Sequence, residues 1–198
     1  GGLGPGAGAR GGTGRSSLIP DPQPPPPRTE EGDMRATDIF RRDHNIIRKA
    51  LVSLERALLM EPPHWAIVAR NVATYLDVEL REYLGSEERW VFRPLAETGP
   101  DAAGVVAELE REHRDLEARL AEFKALARQP IAAAAAPIVR DKGVALVKEF
   151  LHHMFLEEEV GFVLAEERLG TARLEEVADR VLLLQEAGRK VEEPAAID

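Results

Sequence analysis

Tyr83 precedes Glu87 by four residues, and His153 precedes Glu157 by the same interval. In a helix each pair lies one turn apart on one face. Two further histidines, His44 and His113, interrupt apolar stretches of helical period. Imidazole nitrogens with carboxylate and phenol oxygens form a donor set for hard or borderline cations, and iron, manganese and zinc are all compatible with it. The 198 residues include no cysteine, which excludes disulfides, thiolate-bound metals, iron–sulfur clusters and cysteine nucleophiles. No Ser–His–Asp arrangement, glycine-rich phosphate loop or zinc-protease HExxH is present, so hydrolase and nucleotide-binding readings have little support.

The other polar candidates fit the pattern less well. His152 adjoins His153 but points about 100° away around a helix, which places it outside the direct ligands. His64 follows Pro63 at a helix start near the opposite end and reads as a surface or packing residue. Glu117 lies one turn after His113, but Arg48 holds the corresponding place after His44, so a solvated face is expected. Glu79 and Glu158 are candidates for outer or surface charge. Trp90, Phe150 and Phe155 are expected to wall a pocket, whereas Trp65 and Phe123 are equally well explained as structural.

The elements that must position these groups are long helices. The first is expected over Ala36 to Met60, stopping at Pro62–Pro63, and the second over His64 to Leu95, ending before Gly99–Pro100. Asp101 can cap a third from Ala102 to Arg128. A fourth follows from Pro137 to Leu169, and a shorter fifth from Ala172 to Ala187. No stretch alternates with period two. The expected fold is all-α: an antiparallel four-helix bundle with a short fifth C-terminal helix packed outside it.

Inward-facing stripes follow from the periodicity. They run Phe40, His44, Ile47, Leu51, Leu54, Leu58 on the first helix and Ala69, Ala73, Leu76, Leu80, Tyr83, Glu87, Trp90 on the second. The third carries Val106, Leu109, His113, Leu116, Leu120, Phe123, and the fourth Val139, Leu146, Phe150, His153, Glu157, Val160, Leu164. Measured from the helix ends, the polar interruptions agree in height within ~6 Å at 1.5 Å per residue. An antiparallel arrangement therefore gathers them in one layer. A weak duplication agrees: His44 to Glu87 is 43 residues and His113 to Glu157 is 44, so two hairpins each give a histidine and then a pair ending in glutamate.

Two carboxylates buried side by side repel and lose several kcal/mol of hydration each, of order that cost, unless neutralised. A metal-free layer with raised carboxyl pKa values is one solution. A metal is the more economical one, since two ions bridged by two glutamates let both stay ionised. One ion would need only some of these ligands.

The segments "RRDHNII" around His44, "YLGSEERWVFRPL" around Glu87, "EREHRDL" around His113 and "HMFLEEEVGF" around His153 and Glu157 resemble the hemerythrin-like family, or HHE cation-binding domain. The resemblance covers residues 36 to about 186. It implies a bundle with a non-haem di-iron centre, its two ions bridged by oxygen species, with iron ahead of manganese or zinc. It implies binding or sensing of small ligands such as O2, peroxide or NO, with peroxide decomposition as an associated chemistry. By the same resemblance His44, His113 and His153 correspond to terminal ligands, and Glu87 and Glu157 to bridging carboxylates. Tyr83 stands where the family's first HxxxE motif has histidine, and Glu117 where oxygen carriers have a second histidine. Both departures count against a reversible carrier. Tyr83 is open to three roles: direct ligand, proton donor beside a ligand, or packing residue. A non-catalytic iron-binding or redox-responsive interaction module is the alternative class.

Composition bounds the rest. The formal charge of −9 gives no support to a nucleic-acid partner, and no apolar run is long enough for a membrane span. A monomer or homodimer in the cytoplasm is expected. Residues 1–33 hold nine Gly and seven Pro, including Pro24 to Pro27, and read as a disordered tail with a proline-rich docking site as the alternative. Residues 34–190 form the expected hemerythrin-like domain, followed by a flexible 191–198.

Overall fold

The computed structural model describes residue 1 and residues 34–60, 64–128, 131 and 134–192. The expected tail over 1–33, the Pro62–Pro63 stop, the Gln129–Pro130 connection and most of 191–198 thus lie outside the described residues.

Helix α1 spans Ala36–Leu58 and α2 spans His64–Glu87. A π-turn at Glu88–Phe92 joins α2 directly to α3, Arg93–Ala96. Helix α4 covers Pro100–Arg128. Helix α5, Ala136–Leu156, passes through a second π-turn at Glu157–Gly161 into α6, Phe162–Leu169. Helix α7 spans Thr171–Glu192. Two of the long helices are thus fused pairs, and the described residues form five helical rods with no strand. Around the bundle α1 packs on α2 and α5, and α4 packs on the same two helices, while α7 lies outside against α1, α6 and the first π-turn.

Local chemistry explains the ends. Asp38 in the first turn of α1 accepts the Arg35 backbone N–H at 3.1 Å and the Arg35 guanidinium at 3.0 Å, satisfying a free donor next to the positive helix end. Gly170 turns the chain between α6 and α7 at φ 75°, where a side chain would be strained. Asp101 is not a cap as expected: α4 begins at Pro100, whose missing N–H suits a first helical position, and Asp101 accepts from Arg168 at 2.7 Å. Helix α7 outruns the expected Ala172–Ala187, its Leu174, Val177, Ala178 and Val181 buried against the bundle.

The apolar core is split in two. One cluster, containing Ile47, Leu51, Trp65, Leu80, Leu116, Phe123 and Phe150, fills the end near the α1–α2 connection. The other, containing Phe40, Val91, Phe92, Val106, Leu109, Phe162 and Val177, fills the end under α7. His44 lies between Phe40 and Ile47, and His113 between Leu109 and Leu116, so the polar layer occupies the gap between the clusters.

The stripes expected on α1 and α4 are buried throughout. Those on the second and fourth helices go out of register after the glutamates. Trp90 is half-buried and Val160 is 42% exposed, while Val91 and Gly161 are buried instead. The π-turns cause this. Arg93 N–H bonds Glu88 O and Phe162 N–H bonds Glu157 O, five residues back rather than four, so each turn holds one extra residue. Pro94 follows the first π-turn, but Val163 stands at the matching place after the second, so proline is not their common cause. Their shared feature is a buried glutamate at or beside the first residue.

Candidate metal centre

The structure brings all six expected groups together. His44, Glu87 and Glu157 are fully buried, and His113 and His153 nearly so. Tyr83 alone is half-buried, with its hydroxyl donating a hydrogen bond to Glu87 Oε1.

Glu157 is the hub. Its Oε2 lies 3.0 Å from His44 Nε2, and its Oε1 lies 3.1 Å from both His113 Nε2 and His153 Nε2. Glu87 repeats this polarity at longer range, with Oε1 3.9 Å from His44 Nε2 and Oε2 3.7 Å from His113 Nε2. Each carboxylate therefore turns one oxygen to the His44 side and the other to the His113 side. Two donor groups result: His44 with Glu87 and Glu157, and His113 with His153 and Glu157, the donor atoms within each lying inside 4.8 Å of one another.

The outer ring nitrogens explain the histidine orientations. His44 Nδ1 donates to Glu158 Oε1 at 2.7 Å, His113 Nδ1 to Glu88 Oε1 at 2.8 Å, and His153 Nδ1 to Glu112 Oε2 at 2.9 Å. An ionised carboxylate only accepts, so each Nδ1 carries a proton, and the tautomer this selects turns a lone pair inward at Nε2. Acceptors then face acceptors across the layer, an arrangement stable only with cations or added protons between them. His44 Nε2, His153 Nε2, Glu87 Oε2 and Glu157 Oε2 are all buried without a hydrogen-bond partner. Two ligands about 2.1 Å from one ion, at right to tetrahedral angles, lie about 3.0–3.4 Å apart. The Glu157–histidine separations fall in that range, so the donor set fits a metal.

Among the protein groups alone, burial and the neighbouring Glu157 charge push Glu87 well above the usual carboxylate range, against the Tyr83 hydrogen bond. With added protons in place of cations, burial still raises Glu157, but the charge of a protonated His153 and inward N–H groups on His113, His153 and His44 outweigh it and hold this carboxyl well below its ordinary value. Burial and the two glutamates push the Tyr83 phenol well above 10, so the protein by itself favours a protonated hydroxyl.

Aromatic rings close the layer. Phe162 stacks on His44 at 5.7 Å between centroids and Phe92 leans on His113 at 5.6 Å. Phe155, expected in the wall, is 57% exposed, and Trp90 lies instead beneath the Arg180 guanidinium. His152 and Glu117 are exposed, as expected. The sequence reading missed Glu88 and Glu112 and gave Glu158 only an unspecified outer charge. Their available signal was adjacency, since each stands beside one of the central groups.

An all-α bundle with two adjoining clusters of buried histidine and glutamate defines a helical metal-binding protein. A profile of the Hemerythrin HHE cation binding domain matches residues 35–165, and the chain belongs to that family. No curated protein and no solved structure matched the chain.

Proposed function

We propose that the chain holds two non-haem iron ions and binds or senses an oxygen-related small ligand such as O2, peroxide or NO. The observation that supports this most is the paired polarity of Glu87 and Glu157, each with one oxygen toward either donor group. In this reading His113 and His153 hold one ion and His44 the other, with Glu157 and Glu87 shared. Bound iron supplies a redox-active, electrophilic centre for small oxygen or nitrogen ligands.

The protein residues do the remaining work. Glu88, Glu112 and Glu158 hold the imidazoles with Nε2 inward. Phe92 and Phe162 keep water from the histidine rings. Tyr83, in place of the family's histidine, is the sixth donor: its oxygen is already against Glu87, and a nearby cation favours the phenolate that the protein alone opposes. As a phenol it holds a proton at the Glu87 edge for transfer to a ligand. As a phenolate donor it leaves the His44 side richer in oxygen than the His113 side and suits ferric iron, which disfavours reversible oxygen carriage.

Hydrogen peroxide turnover is the test that separates enzyme from binder. Turnover lost in both Glu87→Gln and Glu157→Gln supports a peroxide-decomposing enzyme. A ligand-induced spectral change without turnover leaves the sensing role. One observation favours a redox-responsive interaction module as the second reading. Helix α7 touches the site's flank, with Gln185 donating to Asp43 at 2.8 Å beside His44 and Arg180 lying 5.5 Å over Trp90 of the first π-turn.

A further inference from the structure

Glu88, Glu112 and Glu158 each adjoin a central group in sequence, yet each carboxylate is directed to a histidine on a different helix. Glu158, next to Glu157 in the second π-turn, reaches His44 of α1. Glu88, next to Glu87 in the first π-turn, reaches His113 of α4. Glu112, next to His113 on α4, reaches His153 of α5. The hairpins thus exchange supports: Glu158 of the second hairpin fixes the histidine of the first, and Glu88 of the first fixes a histidine of the second.

A carboxylate on Nδ1 settles the tautomer, fixes the ring plane and raises the basicity of Nε2. We infer that Glu88, Glu112 and Glu158 are positioning residues assigned by place: Glu158 governs the ion at His44, and Glu88 with Glu112 governs the ion at His113 and His153. The inference rests on the two-ion reading above and deepens it, making the two positions separately tunable. The three supports also differ in strength. Glu158 is braced by Arg48, which donates to its other oxygen at 2.8 Å. Glu112 is 15% exposed, whereas Glu88 is 39% exposed and its carboxylate is open to solvent competition. Loss of Glu158 or Glu112 therefore has the larger effect.

The test titrates metal-stripped wild type, E158A, E112A and E88A with zinc alone by calorimetry. Long-range 1H–15N spectra of the imidazoles report which Nε2 atoms bind zinc. Wild type takes two ions. In E158A one step weakens roughly ten- to hundredfold and the zinc-bound Nε2 signal of His44 is the one lost, while the other step holds. E112A shows the converse at His153, and E88A a smaller effect at His113. E158Q, which keeps an acceptor oxygen, recovers part of the affinity, and metal-free melting temperatures stay close to wild type. Unchanged steps in every variant overturn the inference. So does equal weakening of both steps in proportion to a lower metal-free melting temperature, which marks general destabilisation. Fewer than two zinc ions in wild type overturns the metal reading and the inference together.

Discussion

Replacing Glu157 with glutamine removes the one side chain common to both donor groups while keeping its volume. In the metal-free chain the change should cost up to about 3–5 kcal/mol, because the inward histidine nitrogens lose the buried carboxylate they face, so the metal effect is read as the gain over each protein's own metal-free Tm. With metal the effect is large. A site at a free-metal level a thousandfold above its Kd adds ~4.1 kcal/mol to folding, so two sites add ~8 kcal/mol. At about 2–4 °C per kcal/mol for a domain of this size, wild type gains roughly 16–32 °C in Tm. Glu157 lies 3.0–3.1 Å from all three inward nitrogens, so both positions depend on it. If each Kd rises about a hundredfold, the same free metal adds only ~1.4 kcal/mol per site, and the gain falls to roughly 6–12 °C. Differential scanning calorimetry with and without metal reads the difference. A gain equal to wild type would refute the shared role. Loss of one half only would show that a single donor group uses Glu157.

Purified ferric protein should show a visible phenolate-to-iron band that vanishes in Tyr83→Phe; absence of the band from both would remove ligation by Tyr83. At Gly143 an added Cβ meets Leu58 Cδ1 at 2.7 Å and the Phe123 ring at 2.9 Å, so Gly143→Ala should lower stability by about 1–3 kcal/mol despite its better helix propensity. Urea unfolding checks this, and an unchanged or raised midpoint contradicts it. Glu166 is raised by burial, but hydrogen bonds from Arg41 and Thr37 and the nearby guanidinium charges hold it below its ordinary 4.5. Its folded pKa is the lower one, so its contribution is fully present above 4.5 and disappears as pH falls through the folded value. In Glu166→Gln the stability–pH curve should be lower near neutrality and flatter on its acid limb; parallel curves would exclude the linkage.

Much of the centre was legible because spacing and residue type survive in sequence. The stripes on α1 and α4 carry one histidine each at helical period, and the His44–Glu87 and His113–Glu157 intervals imply that the polar groups of four helices share one level. Registers beyond Glu87 and Glu157 were not legible. A π-turn is a hydrogen-bond choice made by tertiary packing, and regular periodicity extends straight through it to Trp90 and Val160. Gly161 held a partial signal: a glycine amid bulky neighbours marks a close approach, here Leu109, whose Cδ1 lies 2.8 Å from where a Cβ would sit. The outer carboxylates were hidden for another reason. Acidic residues beside a seam ordinarily face water, and nothing local shows that Glu88, Glu112 and Glu158 cross to a neighbouring helix. Asp101 failed as a cap because Pro100 already starts the helix, a choice that both residues' propensities allow.

The most direct test of the central claim is metal analysis of the purified protein, read together with its visible spectrum in air and after reduction. The account predicts two irons per chain and a spectrum that changes on reduction. A single zinc with no redox response would contradict it.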